Sequence, residues 1–331
     1  MTETGIEQPT DRWVELAGRF RRWSVTPAAK WLWRVIGAVS FIVINGYMAY
    51  VLIKDWNQVR TFDWLHPNLA MLGVTALVQS VGMVIAVYIW GYVVNKLGYG
   101  IGYRQHFRAY ALSFLAQKLP GIGWSIISKV YLYGNAGVDK VQMAVASGME
   151  HVVGGISGAT AALIVMLLLP SGVYFQPLIP LAAIALFGVI LVLPPVRRGF
   201  EKLNARNAGG ALRWPHVVYW TAVTTAVTLL GGLTLYFFCR GLGVVEPGAA
   251  SPLMQAWALF IFAGALLFWM PVDIGLNAAI LIFVLSSLVP ASEAVLVLIA
   301  FRFWNNLIII AWSLAGLLLT RKSKSAPVPL P

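Results

Sequence analysis

AYALSFLAQKLPGIGWSIISKVYLY, residues 109–133, is apolar enough to enter a membrane, but Leu119-Pro120-Gly121 interrupts it halfway. Proline withholds a backbone donor and clashes with the preceding turn, so the stretch reads as two half-helices with unpaired backbone groups at the break. In hydrocarbon, such groups must be buried in protein or line a wet cavity. PLMQAWALFIFAGALLFWMPVDIGLNAAILIFVLSSLV, residues 252–289, is interrupted in the same way at Met270-Pro271-Val272-Asp273-Ile274-Gly275. Broken segments at corresponding places in two halves of a chain point to a transporter-like binding site.

Composition sets the solvent in which these breaks must be read. Of 331 residues, 59% are hydrophobic and 11% charged, and the mean hydropathy is +0.77. A soluble domain carries about twice that share of charge, so the chain is a polytopic membrane protein. The first 34 residues contain no apolar run of signal-peptide length, so residues 35–53 are expected to act as an uncleaved anchor. The lone Cys239 excludes an intramolecular disulfide and a Cys-rich metal site, and it reads as a packed or lipid-facing small hydrophobe. A net charge of +12 would suggest nucleic acid in a soluble chain, but cytoplasmic loops of a membrane protein collect basic residues. No nucleic-acid partner and no cofactor are expected.

Apolar runs of about 20 residues give full spans at 35–53, 68–94, 141–169, 177–194, 217–238 and 294–319. If each broken stretch leaves on the side it entered, Lys and Arg sort cleanly. The N-terminal set ending at Arg34, then Lys96, Arg104, Arg108, Lys129 and Lys140, then the cluster from Arg197 to Arg213, then Arg321, Lys322 and Lys324 are all cytoplasmic. Lys54, Arg60 and Arg240 fall outside, and Lys118 and Arg302 lie at membrane depth. Both termini are therefore expected in the cytoplasm, with the inner cell membrane as the location. The expected fold class is all-α: a polytopic bundle of about six full spans plus two broken segments, in an inverted-topology repeat. The second broken segment reads equally as a re-entrant loop or as a hairpin of two full spans. Residues 1–34 and 321–331 form basic cytoplasmic tails around a transmembrane domain at 35–320.

Several polar residues stand where they are expensive. Glu150 lies roughly 13 Å into its span, and Arg302 is comparably deep from the other side. A charge at that depth costs about 3 kcal/mol or more, so both must face protein or a cavity. Each reads as a headgroup or ion site, or as one member of a locked ion pair. Asn305 and Asn306 share a helical face with Arg302, and Asp273 in the second break is its natural acidic partner. Gln117 and Lys118 make the first break polar, and a lysine beside freed backbone amides suits a phosphate. Lys118 could equally snorkel toward the cytoplasm or pair with Glu150. His151 reads as a packing histidine or a proton switch. Gly154 and Gly158 form a small-xxx-small pair suited to close helix packing, and the hydroxyls of Thr221, Thr224, Thr225 and Thr228 can bond their own helix. Gly98, Gly100 and Gly102 lack the strand and helix of a nucleotide loop, so they read as a connector. Trp31, Trp33, Trp56 and Trp64 suit interfacial anchoring.

Ser113-Phe114-Leu115-Ala116-Gln117-Lys118-Leu119-Pro120-Gly121, followed by Lys129 and then by Gly137 through Glu150-His151, resembles the lysylphosphatidylglycerol synthase transmembrane-region family of flippase-like proteins. Pro271, Ile274 and Gly275 resemble that family's second break, while Trp124-Ser125 and Asn277-Ala278 depart from its common pairs. The resemblance implies movement of an amphiphilic lipid between leaflets, either an aminoacylated phospholipid or a polyprenyl-linked glycolipid. It sets Leu119, Pro120, Gly121, Lys129, Glu150 and His151 at the family's motif places, and the candidate lipid site joins Pro120, Gly121, Lys129, Glu150 and His151 to the polar residues Lys118, Asp273, Arg302, Asn305 and Asn306. The synthase domain of some members is not expected here. A non-transporting scaffold, partnered by a glycosyltransferase or lipid-modifying enzyme, is the alternative. Transferase chemistry at Glu150 and His151 is disfavoured, because no donor-binding motif accompanies them.

Overall fold

The computed structural model describes residues 46, 48–61, 67–117, 124–169, 211–266 and 276–320, and every regular element among them is helical. A short helix, α1 (Trp56–Thr61), precedes α2 (Leu69–Lys96), α3 (Tyr103–Ala116), α4 (Trp124–Gly134) and α5 (Lys140–Leu168). Then come α6 (Trp214–Gly241), a 3-10 turn at Pro247–Ala249, α7 (Ala250–Leu266), α8 (Leu276–Leu285) and α9 (Ala291–Thr320). Among the described residues, α2, α5, α6, α9 and the 3-10 turn with α7 are long and apolar enough to cross a membrane. The sequence-derived spans at 68–94, 141–169, 217–238 and 294–319 thus have their helices. The span at 177–194, most of that at 35–53, the basic cluster from Arg197 to Arg206 and Trp31, Trp33 and Trp64 lie outside the described residues.

Local chemistry starts the long helices where the chain turns back. Asn68 accepts the Met71 N–H at 3.1 Å at the head of α2, and Asp139 accepts the Gln142 N–H at 2.9 Å at the head of α5. Pro215 occupies the first turn of α6, where its missing donor costs nothing. Gly98 and Gly137, with φ of 93° and 88°, turn the chain out of α2 and into α5.

The chain falls into two halves of the same plan, with α2, the α3–α4 pair and α5 answered by α6, the α7–α8 pair and α9. The lead helices run antiparallel: Asn68 N–H donates to the Gly241 carbonyl at 2.7 Å, and far along both helices the Tyr92 and Tyr219 rings meet at 5.1 Å. Each half also lends its last helix to the other half's broken pair. Helix α5 packs on α7, with Ser251 Oγ donating to the Leu169 carbonyl at 2.5 Å, and α9 packs on α3, with Ser313 Oγ donating to the Ala111 carbonyl at 3.0 Å. Two halves that run in opposite directions and exchange partners reciprocally form an inverted repeat.

Both broken pairs return to the end of the bundle they came from. His106, early in α3, meets Tyr133, late in α4, at 3.1 Å, so these two helices fold back on each other. Helix α3 rises about 21 Å between its two caps, short of a hydrocarbon core of about 30 Å. Helix α7 starts beside the end of α5, and α8 leads within six residues to the start of α9. Residues 118–123 and 267–275, which link the members of each pair, lie outside the described residues.

Helix ends sort by charge. The end where α3 and α4 open carries Lys96, Arg104, Arg108, Lys140 and Arg213, and the opposite end carries Lys54, Arg60 and Arg240. Two large apolar clusters hold the bundle. One is centred on Trp90, Val93, Met143 and Trp220, and the other joins Leu235, Phe238 and Cys239 to Leu281, Leu285, Leu298 and Phe301.

Candidate functional site

The α3–α4 hairpin brings a lysine under two aromatic rings and onto a carboxylate. Glu150 stands about 15 Å from the start of α5. Lys129, on α4, donates from Nζ to Glu150 Oε2. The Tyr110 hydroxyl, on α3, donates to Glu150 Oε1 at 3.3 Å. The ammonium lies 4.2 Å from the centroid of Trp90, on α2, and 4.8 Å from that of Tyr110. Trp90 is held edge-on by Tyr133 at 6.4 Å and by Trp220 at 6.1 Å, so its face is fixed toward the lysine. A cation over a desolvated indole gains about 2 kcal/mol, and the carboxylate adds the opposite charge that makes burial tolerable. The lysine side chain is 6% exposed, whereas Glu150 keeps 24%, so the carboxylate is the member of the pair that a ligand can reach.

Lys129, counted from the sequence among the cytoplasmic basic residues, is therefore buried within the bundle and paired with Glu150. Charge counting follows distance along the chain, and it cannot see a re-entrant helix folding a lysine back beneath Trp90. The carboxylate of Glu150 is taken by Lys129 and Tyr110; Lys118, the partner that the sequence suggested, lies outside the described residues together with Pro120, Gly121 and Asp273.

Below the pair, a polar chain ties the hairpin to the basic end. Asn95 donates to the Ile101 carbonyl at 3.4 Å and accepts the Ile101 N–H at 3.1 Å, which fixes the orientation of its amide. Its oxygen also faces His106 Nε2 at 3.3 Å, so Nε2 carries the proton and Nδ1 accepts the Tyr133 hydroxyl at 3.1 Å. Gly91 makes room for this ring, since a Cβ there would stand 2.9 Å from His106.

On α9, the sequence-derived stripe separates by depth. The Asn305 amide accepts from Gln79 Nε2 of α2, Arg302 sits half-buried one turn earlier, and Asn306 is exposed. Trp312 Nε1 donates to Ser80 Oγ at 3.1 Å, giving this seam a second cross-link. His151 is half-buried beside Glu150 on α5. Gly158 is a close-packing site, because a Cβ there would stand 2.8 Å from both the Ala258 carbonyl and the Phe262 amide nitrogen. Gly154 is not, since a Cβ added there would meet nothing within 4 Å. The threonine ridge bonds its own helix, with each of Thr221, Thr224, Thr225 and Thr228 donating to the carbonyl four residues back. Among the described residues, no cluster of three His, Cys, Asp or Glu is placed to hold a metal ion.

Trp90, Tyr110, Tyr133, Gln79 and Ser80 escaped the sequence reading. Aromatic residues in spans are ordinary core or interface residues, and only the meeting of α2, α3 and α4 around one ammonium gives these a role. Gln79 did carry a signal, as an uncharged amide in the middle of an apolar run. The family model described as "Lysylphosphatidylglycerol synthase TM region" matches residues 35–313. No curated protein and no solved structure matches the chain.

Proposed function

The chain belongs to the lysylphosphatidylglycerol synthase TM-region family, and from that membership we propose that it carries an amphiphilic lipid between the leaflets of the cell membrane. The observation that carries this reading is the pairing of an inverted repeat with a charged site on a re-entrant hairpin. Inverted repeats interconvert two packings of the same elements, which lets a central site face either side in turn. Glu150 is the group that meets a cationic headgroup or a proton, with Lys129 as its resident counter-charge. Lys118, beside the Pro120–Gly121 interruption in the sequence, supplies the ammonium for the phosphate. Asp273 and Arg302 serve the opposite half. The positive-inside rule places the basic end and both termini in the cytoplasm.

The test is reconstitution in vesicles whose outer leaflet carries fluorescent phospholipids of several headgroups, followed by selective quenching from outside. Protein-dependent movement of at least one headgroup into the protected leaflet is expected. Label that stays in place for every headgroup, with and without ion gradients, overturns the proposal. A co-purifying glycosyltransferase or lipid-modifying enzyme, working equally well with Glu150→Ala, would then mark a scaffold.

A further inference from the structure

Exchanging the two halves maps α2 onto α6, α3 onto α7 and α5 onto α9, so the seam between α5 and α6 has a counterpart between α9 and α2. The two seams differ in this structure. Helices α5 and α6 pack along their length, with Ser157 Oγ donating directly to the Thr221 backbone carbonyl at 3.1 Å and buried Ala161 and Ala162 packed against Leu229. Helices α2 and α9 touch over a short stretch only, and long side chains bridge them: Gln79 to Asn305 and Ser80 to Trp312. A serine reaching a neighbour's backbone requires close helices, whereas two amides meeting end to end hold them apart. The neighbouring pairs α3–α9 and α5–α7 both pack closely, and the two halves differ most at this seam.

The residues at the wider seam are polar at mid-depth. Gln79 Oε1 is buried without a hydrogen-bond partner among the described residues, Asn306 is exposed, and Arg302 lies one turn from Asn305 on the same helix. An unsatisfied buried acceptor costs about 1–3 kcal/mol, which a donor from a ligand would recover. We infer that the α2–α9 seam is a lateral slot through which the polar head of a glycerophospholipid enters from the surrounding leaflet, with α5–α6 as its closed counterpart. The headgroup class is one that brings hydrogen-bond donors, such as a glycerol or sugar hydroxyl, to Gln79 Oε1. The slot draws its purpose from the translocation reading, but its occupancy is measured without transport.

The experiment places a photoreactive benzophenone side chain at Gln79 or at Thr221 in the full chain, reconstituted in vesicles of phosphatidylglycerol or of phosphatidylcholine. Lipid adducts are expected at position 79, stronger from phosphatidylglycerol, and absent at position 221. Adducts at both positions or at neither, equal adducts from the two lipids, or a cross-link from position 79 to another part of the chain would overturn the inference. Because the bulky label can disturb folding, Gln79→Cys and Thr221→Cys provide a second reading against the fully buried Cys239. A membrane-permeant maleimide is expected to modify only Gln79→Cys, and equal protection of both thiols counts against the slot. Adducts at position 79 without transport would leave the slot standing and remove the translocation reading.

Discussion

At the residue scale, the Lys129–Glu150 pair has both a structural and a functional consequence, and they can be separated. Glu150→Gln leaves a 6% exposed ammonium without its counter-charge, at a cost of about 3–5 kcal/mol. A clear fall in the melting temperature of the detergent-solubilised protein is expected. Replacing both members, as Lys129→Met with Glu150→Gln, removes the stranded charge and should recover most of that loss. Trp90→Leu keeps apolar volume but removes the face beneath the ammonium, and a loss of about 0.5–2 kcal/mol should show in the same melting assay. The sequence disclosed Glu150 because a carboxylate eleven residues into a 29-residue apolar helix is costly wherever it points. It did not disclose the lysine's burial, because Trp90 is remote in the chain and only the folded hairpin brings the two together.

At the element scale, close approach of α5 to α7 depends on one of two glycines that the sequence presents as equals. Gly158→Leu would drive a side chain into the Ala258 carbonyl and the Phe262 backbone, neither of which can yield as a flexible side chain would. It should lower the melting temperature and the yield of folded protein, whereas Gly154→Ala, which meets nothing within 4 Å, should match the wild type. Spacing alone marks both positions as small, and only the crossing point of the two helices tells them apart. The broken segments were more legible than their packing. Pro120 and Pro271 stand in the sequence between α3 and α4 and between α7 and α8, and so announce the interruptions. The reciprocal exchange of α5 and α9 between halves carries no sequence mark, since apolar helix faces do not name their neighbours.

At the scale of the whole molecule, hydropathy and the charges at helix ends revealed the all-helical membrane fold and the opposed directions of its halves. With Cys239 fully buried, single cysteines report the sidedness of the two hairpins. Exposed Asn135, after α4, and exposed Ser286, after α8, lie at opposite ends of the bundle. In sealed right-side-out vesicles, an impermeant maleimide should label Ser286→Cys and spare Asn135→Cys, and labelling of both would refute opposed re-entry. The functional claim rests on whether the inverted halves move lipid by way of the buried pair. The most direct test compares transbilayer movement of fluorescent phospholipid by wild type and by the folded Lys129→Met, Glu150→Gln double variant in the same vesicles. Rapid, protein-dependent movement is expected with wild type and its loss in the double variant, whereas equal movement by the two proteins, or none by either, would overturn the proposed route.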